Sequence, residues 1–316
     1  MINGQPLISI CIPAYKRIDY LQRLISSIET QTFRDFEVVI TDDSPDSSVG
    51  DFCRNISSVL NLRYFKNEKA LGTPENWNEG IRQARGKWIK IMHDDDWFTD
   101  ENSLETFYQA TLNDPDCPFF FSAFRNVDEE SGRREVVQCN ALDLAMLRLS
   151  PLHLFKKVYV GNPSCTLIRR DIGLLYNSRF KYVVDFEYYI RCIQKEGKWK
   201  YIDNVLLQIG FNAEQVTKYT FLVKEVQIPE NHLLLQTMGA SILRNYFVFD
   251  YYWRLYRNLG IRKPAEISAL YEGPVHHIVK TMLEVQSSLS TSVLKKGLVS
   301  KLLMTATYIR SLLIKL

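Results

Sequence analysis

Along the first hundred residues the apolar positions change period at short, regular intervals. Leu7 to Pro13 (LISICIP) is a β-branched run ended by proline, the length of a buried strand. Asp19 then precedes Leu21, Leu24, Ile25 and Ile28, which share one helix face. Phe36 to Ser44 predicts a second strand, and a polar segment of helix length leads to a third at Leu62 to Phe65. After a turn at Gly72, Thr73 and Pro74, the spacing of Trp77, Ile81 and Ala84 predicts a helix, which Gly86 ends. Lys87 to Met92 is the fourth strand. Strands alternating with helices through short connections predict an α/β fold with a Rossmann-like, mostly parallel, doubly wound central sheet flanked by helices.

Beyond Asp100 the pattern loosens. A helix over Leu104 to Leu112 leads into a hairpin from Cys117 to Cys139, turning at Glu130, Ser131 and Gly132. PSCTLIRRD reads as a strand with a polar start, VVDFEYYIRCIQKEG as a helix closed by Gly197, and WKYIDNVLLQIGF as a last strand. From Tyr219 helical spacing dominates. The expected organisation is a first domain over 1–218, in halves 1–100 and 101–218, and a C-terminal helical region over 219–316.

Composition narrows the class. The 316 residues are 46% hydrophobic and 24% charged, which suits a globular protein and argues against disorder or coiled coil. A net charge of +3 gives no reason to expect nucleic acid. The charge is unevenly spread, however. After Glu284 no acidic residue follows, and Lys295, Lys296, Lys301, Arg310 and Lys315 are all cations. Leu294, Leu298, Leu302, Thr305, Ile309, Leu312 and Leu316 recur every three or four residues there. This basic amphipathic segment, 293–316, either lies on an anionic membrane surface or packs its stripe on the protein. Six scattered cysteines without a CxxC pair, and no signal-like N-terminus or apolar run of spanning length, lead to the expectation of a reduced, cytoplasmic protein, at most peripheral on the inner face of the membrane.

Ligands of such sheets bind outside the carboxyl ends of the strands. Three of those ends carry suggestive chemistry: PAYKR after the first strand, TDDS after the second and HDDDW after the fourth. Neither GxGxxG nor a P-loop is present. Adjacent carboxylates at a strand end alternate sides, so Asp94 and Asp96 are expected on one side and Asp95 on the other, until the turn intervenes. They suit a hard divalent cation facing a diphosphate; the alternative is a solvated turn with Asp100 capping the next helix. TDDS suits a ring N–H or a ribose hydroxyl, or is an ordinary turn. Tyr15 offers a stacking surface, and Lys16 or Arg17 a phosphate contact. Asp185 and Glu187 fall in the first turn of an aromatic-rich helix, where a carboxylate either steadies the helix dipole or serves as a general base.

In that order and spacing, ISICIPAYKRIDYLQRLISSIETQTFRDFEVVITDDSPD, ALGTPENWNEGIRQARGKWIKIMHDDDWF and DFEYYIR resemble the family 2 glycosyltransferases. The resemblance covers residues 5 to 215 and implies the A-type nucleotide-sugar transferase fold. By position it implies a base-holding loop at Pro13, Ala14 and Tyr15; Arg17, as a candidate phosphate contact, joins the expected donor-binding residues. It places Asp43 on the base, Gly72 and Asn76 near the nucleotide, and Asp94 on the ribose or donor sugar. Asp95 would be the ligand of Mn2+ or Mg2+, and Asp185 the catalytic base. Trp97 and Glu187 are the expected acceptor contacts. His93 stands where the family's D-x-D triplet begins with aspartate, and it is given no ligand role. FNAEQVT stands where many relatives carry a histidine, so Asn212 and Gln215 receive no role either. The implied reaction is inverting transfer from a nucleotide sugar, with UDP the expected carrier, to a hydroxyl of a glycan or lipid-linked acceptor in surface polysaccharide synthesis. A nucleotidyltransferase, or a sugar-nucleotide-binding protein without turnover, would share several of these features.

Overall fold

A computed structural model describes residues 5–56, 60–211 and 220–313. Asn212, Gln215, Lys315 and Leu316, and the expected domain boundary at 218, lie outside them. The chain divides into two compact units. One holds residues up to Arg148 with Tyr159–Phe180 and Tyr188–Gln215; the other holds Leu149–Val158, Lys181–Glu187 and Val216–Leu316.

The first unit is built on β1 (Ile8–Ala14), β2 (Phe36–Asp42), β3 (Leu62–Lys66) and β4 (Trp88–Ile91), with α1 (Ile18–Glu29), α2 (Ser48–Ile56) and α3 (Glu75–Gln83) as crossovers. These four strands are parallel, in the order β3–β2–β1–β4. Every residue of β2 is buried, as expected of a central parallel strand with both faces covered. Ile8, Ile10 and Ile12 share one core with Val38 and Ile40 and with Leu21, Leu24, Ile25 and Ile28 of α1. Each of those helix side chains contributes roughly 1.5–3 kcal/mol by burial. Arg17, just before α1, and Arg23, within it, reach the segment that follows β4. On the opposite face Gly80 lets α3 approach closely: a Cβ there would lie 3.2 Å from Cys11 Cβ.

The second half of the sheet departs from the parallel expectation. It comprises β5 (Asp96–Phe98), β6 (Phe119–Asp128), β7 (Arg134–Val137), β8 (Thr166–Arg169) and β9 (Lys200–Phe211), interleaved with α4 (Ser103–Asn113), α5 (Ala141–Leu149) and α6 (Val184–Glu196). The order continues β4–β8–β6–β9–β5, with β7 on β6. β6 runs parallel to β9, but β4–β8, β6–β8, β6–β7 and β5–β9 are antiparallel, so the nine-stranded sheet is mixed. The Cys117–Cys139 hairpin forms as β6–β7. β5, only three residues long, has too little sequence for a period to show.

The second unit is helical: α7 (Lys224–Met238), α8 (Tyr246–Leu259), α9 (Pro264–Ser268), α10 (His277–Ser287), α11 (Thr291–Lys295) and α12 (Gly297–Leu312). Its centre is α8, which buries Val248, Phe249, Tyr252, Trp253 and Tyr256. Asn245 caps that helix, accepting from the N–H groups of Phe247 and Val248 at 2.9 and 3.3 Å. Gly260 ends it with φ +71°, the left-handed conformation that glycine adopts without strain. Among the described residues no helix is long and apolar enough to cross a membrane.

Candidate active site

Because β2, β1 and β4 are parallel neighbours, their carboxyl ends share one edge. Tyr15 follows β1 and is half exposed. Lys16 has φ +65°, a strained value for a residue with a side chain, and its N–H is held by Ser44 Oγ at 2.7 Å. Pro13 and Ala14 belong to β1 itself, and Ala14 O accepts from Asp43 N at 3.0 Å.

Asp43 is buried and holds the loop after β3. Its Oδ1 accepts from Asn67 Nδ2 at 2.8 Å and Leu71 N at 3.0 Å, and its Oδ2 accepts from Gly72 N at 2.8 Å. Gly72 takes φ +70°, with open space where a Cβ would stand. Asn76 is also buried. It donates to Thr41 O at 3.1 Å and accepts from Asn67 Nδ2 at 2.9 Å, tying α3 to β2. The neighbouring Asp42 is spent on structure, accepting from Tyr64 Oη at 2.7 Å and Lys66 Nζ at 3.0 Å.

The acidic segment does not alternate as a strand would. β4 ends at Ile91, and residues 93–96 form a turn in which Asp96 N donates to His93 O at 3.1 Å. Asp94 and Asp95 therefore both reach Arg17, and the expected pairing of Asp94 with Asp96 on one side does not occur. Arg17 embraces Asp94 through Nη2 and through Nε at 3.2 Å, and its Nη1 lies 3.4 Å from Asp95 Oδ2. Burial pushes the Asp94 carboxyl up to about 7 despite the Arg17 charge. Arg23 adds a bond from Nη2 to Asp95 O at 2.8 Å and stacks its guanidinium over Trp97, 3.9 Å from the ring centre.

Asp96, given no contact by the sequence, proves to be the anchor of the turn. It is fully buried and accepts from Ser164 Oγ at 2.6 Å, Asn162 Nδ2 at 2.7 Å and Gly210 N at 3.3 Å. Burial holds its pKa well above the carboxylate range. Lys90 lies behind it, fully buried, donating to Thr166 O at 3.2 Å and to Ser164 O. Burial lowers that amine to about 7. Gly210 is required by proximity, since a Cβ there would come within 2.5 Å of Asp95 O. Asp100 does not cap α4; Asn102 occupies that position, and Asp100 Oδ1 accepts from Asn102 N at 2.9 Å. Ser164, Asn162 and Gly210 escaped the sequence reading because their partner is far away in the chain. The polar start of PSCTLIRRD was the one visible signal.

His93, Asp95 and Asp96 each bring one ligand atom within 4.8 Å of the others. Burial lowers the His93 imidazole to about 4, leaving it neutral, and its buried Nε2 has no hydrogen-bond partner among the described residues. A neutral imidazole grouped with two aspartate carboxylates is a donor set suited to a divalent cation such as Mn2+. The metal expectation that rested on Asp95 thus gains His93, which the sequence left without a role.

Asp185 and Glu187 belong to the helical unit, in the first turn of α6. Glu187 is buried. Asp185 is partly buried, and its Oδ1, cut off from solvent, has no hydrogen-bond partner among the described residues. Burial alone pushes this carboxyl up to about 7. The turn is fixed by Glu230 of α7, whose carboxylate accepts from the N–H groups of Lys181, Tyr182 and Val183 at 2.9, 2.8 and 3.2 Å. Phe155 packs edge-on against Phe186, with ring centres 5.1 Å apart.

A half-sheet of parallel strands with an acidic turn at its carboxyl edge is the setting in which comparison with known proteins places the chain in a class of sugar-transfer enzymes. Residues 9–173 match Glycosyl transferase family 2, just over half of the chain, and the chain belongs to that family. It is a glycosyltransferase. An uncharacterized glycosyltransferase of Methanocaldococcus jannaschii is 24% identical over 257 residues, 79% of this chain and 80% of that protein. A GalNAc(5)-diNAcBac-PP-undecaprenol beta-1,3-glucosyltransferase of Campylobacter jejuni is 30% identical over 93 residues, 29% of this chain and 30% of that protein. Among solved structures, S. aureus TarS in complex with UDP-GlcNAc superposes with TM-score 0.57 at 15% identity, covering 96% of this chain and 92% of that one. The mannosyltransferase PcManGT of Pyrobaculum calidifontis, in complex with GDP-Man and Mn2+, gives 0.56 at 11% identity, covering 98% and 88%. These two similarities show the shared fold.

Proposed function

We propose that the chain transfers a sugar, with inversion, from a nucleoside diphosphate sugar to a hydroxyl of a glycan or lipid-linked acceptor, in the synthesis of surface polysaccharide. The observation that carries this reading is the assembly of Tyr15, Asp43, Arg17 and the 93–96 turn along one edge of the parallel strands. Tyr15 offers its exposed ring to the base, and the loop held by Asp43 and Gly72 closes the nucleotide side. UDP is the proposed carrier, in keeping with the UDP-GlcNAc complex of TarS; the lipid-linked acceptor follows the Campylobacter relative, whose name describes such a substrate.

Asp95 and His93 would hold a divalent cation, with Asp96 fixing the turn behind them. Such an ion supplies Lewis-acid stabilisation of the negative charge that grows on a departing diphosphate. Asp94 and Arg17 would face the ribose or the donor sugar. Asp185 acts as the base that takes the proton of the acceptor hydroxyl. Its unpartnered oxygen and raised pKa suit that role, because a base poised near neutral pH accepts a proton most effectively. Trp97 and Glu187 are the proposed acceptor contacts. A domain division at 218 accompanies the reading, with the nucleotide sugar bound by 1–100 and the acceptor by 101–218.

A thermal-shift panel of nucleotide sugars, each with and without Mn2+, tests the donor reading. Stabilisation by one UDP-sugar that requires the metal and is lost in Asp95→Asn is the expected result. Equal stabilisation with and without metal refutes the cation assignment, and no response to any nucleotide sugar refutes the donor assignment.

A further inference from the structure

The last long helix is built inside out. α12 buries Ser300, Met304, Thr307 and Ser311, spaced three or four apart, and exposes Leu298, Leu302, Ile309, Leu312 and Leu313. At about 100° per residue the two sets fall on opposite sides of the helix. Exposure is high: 76% at Leu298, 64% at Leu302, 57% at Ile309 and 82% at Leu313. The inward polar choice has a physical reason. Ser300 Oγ lies 3.0 Å from Trp253 Nε1 and 3.2 Å from an Arg257 guanidinium nitrogen, accepting from both. Thr307 and Ser311 return their hydroxyls to the helix's own carbonyls at 2.7 Å. Of the apolar stripe in the sequence, Leu294 is buried, while Leu298, Leu302, Ile309 and Leu312 face outward.

We infer that this outward face of α12 docks the protein on an anionic phospholipid surface. Exposed cations border the stripe: Lys295 and Lys296 precede the helix, and Arg310 flanks it on one side. After Glu284 the sequence carries no acidic side chain, and the Asp250 near α12 is paired with Lys301. A second copy on the same face would set these cations against their own counterparts, whereas anionic headgroups complement them. Leucines and isoleucine would enter the boundary between headgroups and acyl chains, with the cation stems reaching back to the phosphates. The inference deepens the lipid-linked acceptor reading, since such an acceptor is met at a membrane.

Flotation of the full chain with two kinds of vesicle tests it: phosphatidylcholine alone, and phosphatidylcholine mixed with phosphatidylglycerol. The full chain is expected to float with the mixed vesicles and to be released by salt. Leu302→Glu with Ile309→Glu should abolish flotation, and Lys295→Gln with Lys296→Gln should weaken partitioning by on the order of tenfold or more. All four positions are exposed, so unchanged circular dichroism and melting temperature are expected. A full chain that floats with neither vesicle overturns the inference, as do variants that float as well as the parent. It is also overturned if the parent elutes as a dimer that the double glutamate variant splits, with neither floating. Nucleotide-sugar binding measured without vesicles should be the same in parent and variants, so a chain that floats but binds no donor overturns only the donor reading.

Discussion

Replacing Asp185 with asparagine should cost activity and add stability at the same time. The carboxyl rises from its ordinary 3.8 to about 7 for one cause, burial without a compensating partner. The folded state therefore binds this proton more tightly than the unfolded chain does. Stability from the site is fully present below about 4 and is lost as pH rises to about 7, where the folded carboxyl ionises. A shift of about 3 units corresponds to about 4 kcal/mol, and the partial exposure of the residue reduces this to on the order of 2–3 kcal/mol at pH 8. Asp185→Asn keeps the shape and removes the ionisation, so its melting temperature should exceed the parent's at pH 8, and the gap should close toward pH 4. Turnover should fall by about 10²–10⁴ with donor binding retained, and the parent's kcat should rise with pH through about 7. Thermal melts from pH 4 to 8, set beside initial rates, read both effects. A variant that is no more stable than the parent at pH 8 refutes the desolvated carboxylate, and near-normal turnover refutes the base.

Asp95→Asn should weaken Mn2+ binding about tenfold or more, read by the signal of free Mn2+ in electron paramagnetic resonance; unchanged affinity removes Asp95 as a ligand. Gly210→Ala drives a methyl to 2.5 Å from Asp95 O, so backbone must move. The expected destabilisation is about 1–3 kcal/mol in a denaturant titration, with donor affinity falling as the turn shifts. Glu230→Gln replaces a carboxylate that accepts three N–H groups before α6. It should cost about 1–3 kcal/mol and lower kcat while leaving nucleotide-sugar affinity unchanged; a fall in that affinity instead would show that Glu230 does not act through the Asp185 turn.

How legible the fold was depended on period and length. β1 and β2 are uninterrupted apolar runs, and α1 carries its buried positions at helical spacing, so both types announce themselves locally. Direction does not. Nothing within Thr166–Arg169 states that this strand runs against β4, because orientation is set by the path of the chain between them. The C-terminal stripe shows the limit of periodicity from the other side. The spacing of Leu298, Leu302 and Ile309 marks a helix face correctly, yet period alone cannot distinguish a face turned to the core from one turned outward. That decision rests on Ser300, whose hydroxyl is matched to Trp253 and Arg257 across some 43 to 47 residues.

The acidic segment shows where strand periodicity stops. Alternation puts Asp94 and Asp96 on one side only as far as the strand runs, and β4 ends at Ile91. A turn breaks the two-residue period, so side chains three apart meet instead, and His93 falls beside Asp96, with Nδ1 3.9 Å from Oδ2. Three adjacent acidic side chains are tolerable because each has a different arrangement around it. Asp94 meets Arg17, Asp96 takes its three hydrogen bonds from the interior, and Asp95, between them, lies with Oδ2 3.4 Å from Arg17 Nη1. Asp95 also belongs to the cluster with the His93 imidazole. Local sequence could supply the charge, but the partners that set the three apart come from Arg17 before α1, from the segment before β8 and from β9.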